Sequence, residues 1–379
     1  MTTDSHSIDH EIYRIDDVSQ IHSPGLLIYL DCVKANLAEM IRIAGNPNRL
    51  CPHCKTHKTR EIAKLMLDHG IDHQKCATIA EAEMLATVGV PKILIAYQLV
   101  GPNLDRLSQL IDKFPNSRFG ALIDSPHALQ MLSQKMHAQN QSVGILIDLE
   151  TGMNRTGIDL GQDAIELIEM AMSSPGIVMD GLHWYDGHNR APDQAERNGI
   201  AMAGWNRLQQ FKDQLLLSGI QINLVVAAGI GSFPVLSETA TTNLQLSPGT
   251  PTYFDADMQE RFPDMNFQCA AQILTRVISN NRPGHLTLDV GHKSCAADMP
   301  AGNRLRFPCI PDAVEVLQTE EHCVIKTALA DQFPLGSATL ATPRHACPVS
   351  AVHKFATVIS DGQVVDQWEM IGRDRMLTI

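Results

Sequence analysis

The sequence predicts an α/β fold: a (β/α)8 TIM-type barrel followed by a second, mostly antiparallel β domain. Three observations point to it. Short apolar runs alternate with helical patterns through eight units between about residues 48 and 260. After about residue 262 that rhythm gives way to strand-like runs separated by Gly, Pro and Asp, with few helical patterns. A chain of 379 residues, 44% of them hydrophobic, also exceeds one ordinary domain of about 150 residues. An open doubly wound sheet is the rival for the first part, and the count of eight favours the barrel.

In chain order, residues 1–24 read as an irregular arm, 25–262 as the barrel domain and 263–379 as the β-rich domain. Leu26–Asp31 is a short strand that could instead join the second domain. Asp31 suits a helix cap, and Val33, Leu37, Met40 and Ala44 behind it lie four, three and four apart, one apolar stripe. Barrel strands are expected near 49–54, 72–76, 93–97, 119–123, 143–148, 179–184, 222–228 and 244–248. Helical patterns such as Glu61–Leu67, Ile79–Thr87 and Ala195–Ser218 fall between them. In the second domain Ala270–Ile278, His285–Val290, Ala313–Leu317, Cys323–Ala328 and Val352–Ser360 read as strands.

Composition narrows the function classes. A formal charge of −12 without a long basic run argues against phosphate-neutralising nucleic-acid binding. The polar, acidic opening does not read as a signal peptide, and no window offers the roughly 20 apolar residues of a membrane span. Nine cysteines, an odd and irregularly spaced set, suit free thiols in a reducing cytoplasm.

The chemistry concentrates first in Leu50–Lys58, L-C-P-H-C-K-T-H-K. Lys55 falls just after the first barrel strand, at the C-terminal mouth where barrel active sites are built. A lysine amine there can join an aldehyde as a Schiff base; it also reads as a plain surface lysine. Zinc on Cys51-x-x-Cys54 with His53 and His57 lacks the second ligand pair that a structural site needs. Ala228-Gly229-Ile230-Gly231-Ser232 follows strand seven, where barrels bind phosphate through backbone amides, and Ser247-Pro248-Gly249-Thr250 after strand eight would form the other wall. Arg155, between two glycine turns after strand five, suits a phenolate oxygen or a surface ion pair. After strand six, Tyr185 suits packing on a flat ring, Trp184 the core, and Asp186 and His188 acid–base work. In the second domain, His345 and Cys347 stand two apart; in an extended segment they would face one side and could hold a divalent ion. They also read as a buried histidine and an inert thiol. Glu320-Glu321-His322-Cys323 lines the same cavity or forms a solvated turn.

Together these segments resemble the D-threonine aldolase and D-serine dehydratase family, whose members are alanine-racemase-like, fold type III pyridoxal-phosphate enzymes. The resemblance covers nearly the whole chain. It runs from Ser23–Asp31 with Asn36, through Pro52-His53-Cys54-Lys55-Thr56-His57-Lys58, its most specific match, to Asp148–Gly157, Ala228–Ser232, Pro248-Gly249, Glu321-His322 and His345-x-Cys347. It implies pyridoxal 5'-phosphate attached to Lys55, with His53 and Tyr185 beside it. Arg155 would meet the phenolic oxygen, and Gly229, Gly231, Ser232, Gly249 and Thr250 the phosphate. His345 and Cys347 would bind Mn, Mg or Zn. Three positions depart from the pattern: Cys51 replaces a common Arg, Asp186 stands where related aldolases often have His, and Pro251 delays the next tyrosine to Tyr253.

The resemblance implies a metal-assisted aldolase that cleaves D-3-hydroxy amino acids to glycine and an aldehyde. His188, or hydroxide carried by the metal, would take the hydroxyl proton. A dehydratase of D-serine or 3-hydroxy-D-aspartate shares every part up to the metal. An amino-acid racemase and a non-catalytic vitamin-B6 carrier complete the rivals. A homodimer with a small D-amino acid as substrate, and neither nucleic acid nor membrane as partner, is expected.

Overall fold

The computed structural model describes residues 7–379, so the first six residues of the arm lie outside the described residues. The chain divides into two compact units. One comprises the chain through Glu39, Thr56–Thr59 and Thr250–Arg373; the other comprises Met40–Lys55, Arg60–Gly249 and Asp374–Ile379. The division at 262/263 that the sequence suggests therefore falls inside the first unit.

The first elements are strand β1 (Gly25–Tyr29) and helix α1 (Leu30–Ala44). Val33, Leu37, Met40 and Ala44 are all buried, as the stripe predicts. Asp31 does not cap α1. It sits inside the first turn, and its carboxylate accepts from the Ser360 hydroxyl at 2.9 Å and the Asp361 amide at 3.0 Å.

The barrel unit carries β2 (His73–Cys76), β3 (Lys92–Ile95), β4 (Arg118–Ile123), β5 (Val143–Asp148), β6 (Ile177–Trp184), β7 (Val225–Ala227) and β8 (Leu244–Leu246). All seven are parallel and pair in sequence order. Helix α2 (Arg60–Asp68) precedes β2. Then α3 (Ile79–Val88), α4 (Asn103–Lys113), α5 (Pro126–Ala138), α6 (Gln162–Ser173), α7 (Gln194–Leu217) and α8 (Phe233–Ser237) link the successive strands.

Residues 50–54 supply the eighth stave. Leu50 bridges Leu246 of β8, and His53 bridges Lys75 of β2, both in parallel. The ring closes through the Cys51 amide on the Leu246 carbonyl (2.7 Å), the Cys54 amide on the Lys75 carbonyl (2.8 Å) and the Lys75 amide on the Pro52 carbonyl (2.9 Å). Pro52 has no N–H to donate, so this stave is two bridges rather than a continuous strand. Inside the ring, Cys51, Leu94, Leu122, Leu146 and Val226 form one buried cluster. Each large apolar side chain there contributes about 1.5–3 kcal/mol by leaving water. The last residues return to this unit: the Ile379 carbonyl accepts from Arg106 Nη2 at 3.0 Å, and the Thr378 amide donates to Glu83 at 3.2 Å.

The other unit is a sheet of nine strands. It adds β9 (Ala271–Ser279), β10 (His285–Leu288), β11 (Leu305–Arg306), β12 (Val314–Gln318), β13 (Cys323–Lys326), β14 (Ala338–Pro343), β15 (Phe355–Ser360) and β16 (Gln363–Glu369). β1 lies in the middle of it, antiparallel to β9 and parallel to β15, with Leu26–Tyr29 buried. The arm packs here too, with Tyr13, Ile15 and Val18 buried and the Val18 carbonyl accepting from Arg276 Nη2 at 2.7 Å. The short helices α9 (Ala256–Arg261), α10 (His292–Cys295) and α11 (Ala346–Val352) complete this unit.

Candidate active site

At the end of the eighth stave the chain makes the turn that carries Lys55. The turn is braced from below: the buried His53 ring accepts the Lys55 amide at Nδ1, 3.1 Å away. Lys55 itself is half-buried, and its amine has no hydrogen-bond partner among the described residues. Thr56 follows in the chain, and its hydroxyl lies 3.2 Å from Cys347 Sγ.

Beside the turn is a polar set in which Lys75 and His183 join Asp148 and Thr156. Lys75, at the end of β2, is 2% exposed. Its Nζ stands 3.4 Å from His183 Nε2, and His183 Nδ1 stands 2.6 Å from Asp148 Oδ1. The second Asp148 oxygen accepts the Thr156 hydroxyl at 2.8 Å. Burial pushes the Lys75 ammonium down to about 8, partly offset by Cys51 and Asp148. Burial raises Asp148, but the hydrogen bonds from His183 and Thr156 more than offset it and hold the carboxyl below its usual range. Burial also keeps His183 neutral, against the pull of Asp148. The only sequence signal for this set was a lysine within a strand as short as H-Q-K-C.

Tyr185 lies parallel to His183, with ring centroids 6.5 Å apart, and takes the Lys75 ammonium at 5.4 Å and the Arg155 guanidinium at 5.2 Å from its ring centre. Arg155 is exposed and makes no hydrogen bond among the described residues. Trp184 is buried, as core packing requires.

Asp186 differs from the role foreseen for it. It is buried, and its Oδ1 accepts the Gly229 amide and the Ser232 hydroxyl, each at 2.7 Å. It therefore fixes the glycine turn and is not a free acid or base. A Cβ on Gly231 would stand 2.3 Å from the Asn189 carbonyl, and one on Gly229 would stand 3.2 Å from Asp186, so both glycines admit the loop after β6. Ala228 before them has φ 78°, a left-handed conformation that costs about 1–3 kcal/mol for a residue with a side chain. The Ser247 amide donates to the Ala227 carbonyl at 2.8 Å, which sets the ends of β7 and β8 side by side, and the Ser247 hydroxyl is buried without a partner among the described residues. Gly249 closes this wall. Thr250 opens a short 3-10 turn, Thr250–Thr252, and is grouped with the other unit. His188 is exposed, and a Cβ on Gly152 would lie 3.4 Å from its Nε2.

In the β-rich unit, His345 and Cys347 do not lie in an extended segment. His345 precedes α11 and Cys347 is in its first turn, because Pro348 is compatible with a helix start. The two side chains still come together. His345 hydrogen-bonds Cys347 and, through Nδ1, Asp298. Burial alone would depress the ring; Cys347 and Asp298 outweigh it and raise His345 to about 9. Asp255 lies beneath, 1% exposed and raised to about 6 by burial, with the Ala346 amide donating to it at 3.2 Å. Glu320 and Glu321 are exposed and pair with Lys293 at 2.7 and 3.2 Å, so that cluster is a solvated turn.

The zinc set weighed for Cys51, His53, Cys54 and His57 does not assemble. Cys51 belongs to the barrel core, with its thiol pushed up to about 12 by burial. His57 is fully buried and lowered to about 3 by burial. His53 and Cys54 instead gather with Glu81. All nine cysteines are free thiols. Among the described residues no helix is long and apolar enough to cross a membrane.

Comparison with known proteins places this geometry. Residues 28–255 match the model of the alanine racemase N-terminal domain, and residues 270–359 match that of a putative serine dehydratase domain. The chain is 28% identical to a D-threonine aldolase of Arthrobacter sp. over 371 residues, 94% of each protein. It is 24% identical to a 3-hydroxy-D-aspartate aldolase of Paracoccus denitrificans, covering 95% of this chain and 94% of that one. The crystal structure of D-threonine aldolase from Filomicrobium marinum superposes with a TM-score of 0.86 at 28% identity, covering 93% of this chain and 96% of that one.

Proposed function

This chain belongs to the alanine racemase N-terminal domain family, and on that premise we propose that it is a pyridoxal-phosphate-dependent lyase. In this proposal it cleaves D-3-hydroxy amino acids of the D-threonine type to glycine and an aldehyde, assisted by a divalent metal ion. The observation that carries the proposal is the presence in one chain of an amine, Lys55, with no hydrogen-bond partner among the described residues, at the end of the barrel's closing stave, and of a nitrogen–sulfur donor pair, His345 and Cys347.

The barrel residues fit pyridoxal phosphate. Lys55 offers the amine for its aldehyde, and Arg155 offers a guanidinium with no hydrogen bond among the described residues for its phenolic oxygen. The Ser247 hydroxyl beside the glycine turn, orphaned among the described residues, offers with Gly231 and Gly249 donors for its phosphate. Gly229 and Ser232 give their donors to Asp186 and shape that turn. When bound, the cofactor accepts the electron pair of the broken Cα–Cβ bond. His345 and Cys347 fit a metal through their ligand types and through the Asp298 carboxylate that orients the imidazole. A sulfur donor suits Zn²⁺ better than Mg²⁺, which takes oxygen ligands. His188, exposed in the loop after β6, takes the hydroxyl proton. A homodimer is part of the same proposal.

The test is a panel of D-threonine, D-serine and 3-hydroxy-D-aspartate with purified, cofactor-loaded protein, each with and without chelator. Glycine and acetaldehyde from D-threonine, lost on chelation, are expected. Pyruvate and ammonia from D-serine without glycine from D-threonine would replace the aldolase by a dehydratase, the alternative that the match over residues 270–359 favours.

A further inference from the structure

Lys75 holds a charge where the fold gives it little company. Its electrostatic neighbours are Cys51, Lys55, Asp148 and Arg155, and among the described residues its one hydrogen-bond partner is His183 Nε2 at 3.4 Å. Because His183 Nδ1 donates to Asp148, Nε2 carries the lone pair that accepts the lysine. An ammonium has three donors. His183 takes one, and the described residues supply no acceptor for the other two. Buried donors left unmade are costly, so a site that keeps two of them open is built for a ligand acceptor. The same Tyr185 ring that faces Lys75 Nζ at 5.4 Å also faces the Arg155 guanidinium at 5.2 Å. Two cations with open donors thus flank one aromatic ring; Asp148 attracts both, but its oxygens are taken by His183 and Thr156.

We propose that Lys75 is a second cationic contact, alongside Arg155, for the anionic oxygen of the bound pyridoxal ring, with its charge held in place by the His183–Asp148 pair. This rests on the cofactor reading above and adds a residue to it. Burial has already moved Lys75 to about 8, so its charge responds to whatever anion sits beside it.

The experiment follows the visible absorbance of cofactor-loaded protein across pH, in wild type and in Lys75→Met. Removing a cation next to the ring favours its protonated form, so the absorbance midpoint should move up by about one pH unit or more. Lys75→Gln keeps a donor and loses only the charge. It should shift the midpoint the same way, which secures the test should Lys75→Met fold poorly. Borohydride reduction followed by peptide mapping should place the cofactor on Lys55 in wild type and in both variants. An unchanged midpoint in a folded, cofactor-loaded variant overturns the proposal, and so does a label on Lys75. A wild-type protein that develops no visible band overturns the cofactor reading itself, and this inference with it.

Discussion

In the barrel unit, His183 stands between Asp148 and Lys75; in the β-rich unit, His345 stands between Asp298 and Cys347. Both imidazoles turn Nδ1 to a carboxylate. The third partner and the exposure differ. His183 is buried and faces an ammonium, which occupies its lone pair and leaves it no place for a metal ion. His345 and Asp298 have side chains 43% and 41% exposed, and the neighbour is a thiol, a group of the kind that can ligate metals. The same carboxylate–imidazole brace thus serves a fixed charge in one unit and an open donor pair in the other. Burial accordingly keeps His183 below its usual range, while its partners lift His345 to about 9.

If that division is right, the two sets fail separately. Lys55→Ala should abolish the visible absorbance and cut turnover by at least about 1,000-fold, about 4 kcal/mol of barrier, while bound metal measured by elemental analysis stays near one equivalent. His345→Ala should show the converse: metal lost, turnover down about 100-fold, visible spectrum kept. A variant that lost both metal and chromophore would merge the two sets into one.

Acid should weaken both units, since each buries a neutral histidine. His57 is held at about 3 and His73 at about 4, both by burial, so between pH 6.5 and those values the unfolded chain binds the extra protons. Stability should be full above about 6.5 and fall as pH drops, by about 1.4 kcal/mol per pH unit for each histidine. Urea midpoints at pH 7 and 5 that coincide would refute this.

Smaller and opposite in sign is the effect of Lys75→Met on the cofactor-free protein. An ammonium whose folded value is about 8 against an ordinary 10.5 costs the fold about 1–3 kcal/mol at neutral pH. The variant should therefore unfold at a higher temperature than wild type while its cofactor spectrum is altered. A lower melting temperature would mean that the lysine holds the barrel together. The smallest effect is expected at Cys51→Ala, about 1 kcal/mol of stability with metal content unchanged, as befits a core thiol.

The comparison also marks what could be read without coordinates. Apolar runs such as Val143–Asp148 and Arg118–Ile123 announce barrel strands because their side chains are buried on both faces of a parallel sheet. The membership of β1 was less legible. L-L-I-Y says strand, while its pairing with β9 and β15 rests on residues more than 240 positions away. The spacing of His345 and Cys347 was visible, but not the helix start at Ala346, for which Pro348 gave the signal. Lys75 and His183 escaped because a charge in a four-residue strand reads as surface, and only the ring of staves turns it inward. Asp186 looked catalytic from its neighbours in sequence, whereas the contacts that define it lie 43 and 46 residues away.

Pro52 gives the barrel a seam. Seven staves are laced continuously, while the eighth is fastened on either side of a residue that cannot donate. A cylinder joined this way should breathe first along that line, so the amides of Cys51 and Cys54 should exchange with deuterium sooner than those inside β5. Lys55 rides at the end of the loosest stave, and a molecule tethered there and resting on the far wall would act as a rivet across the joint.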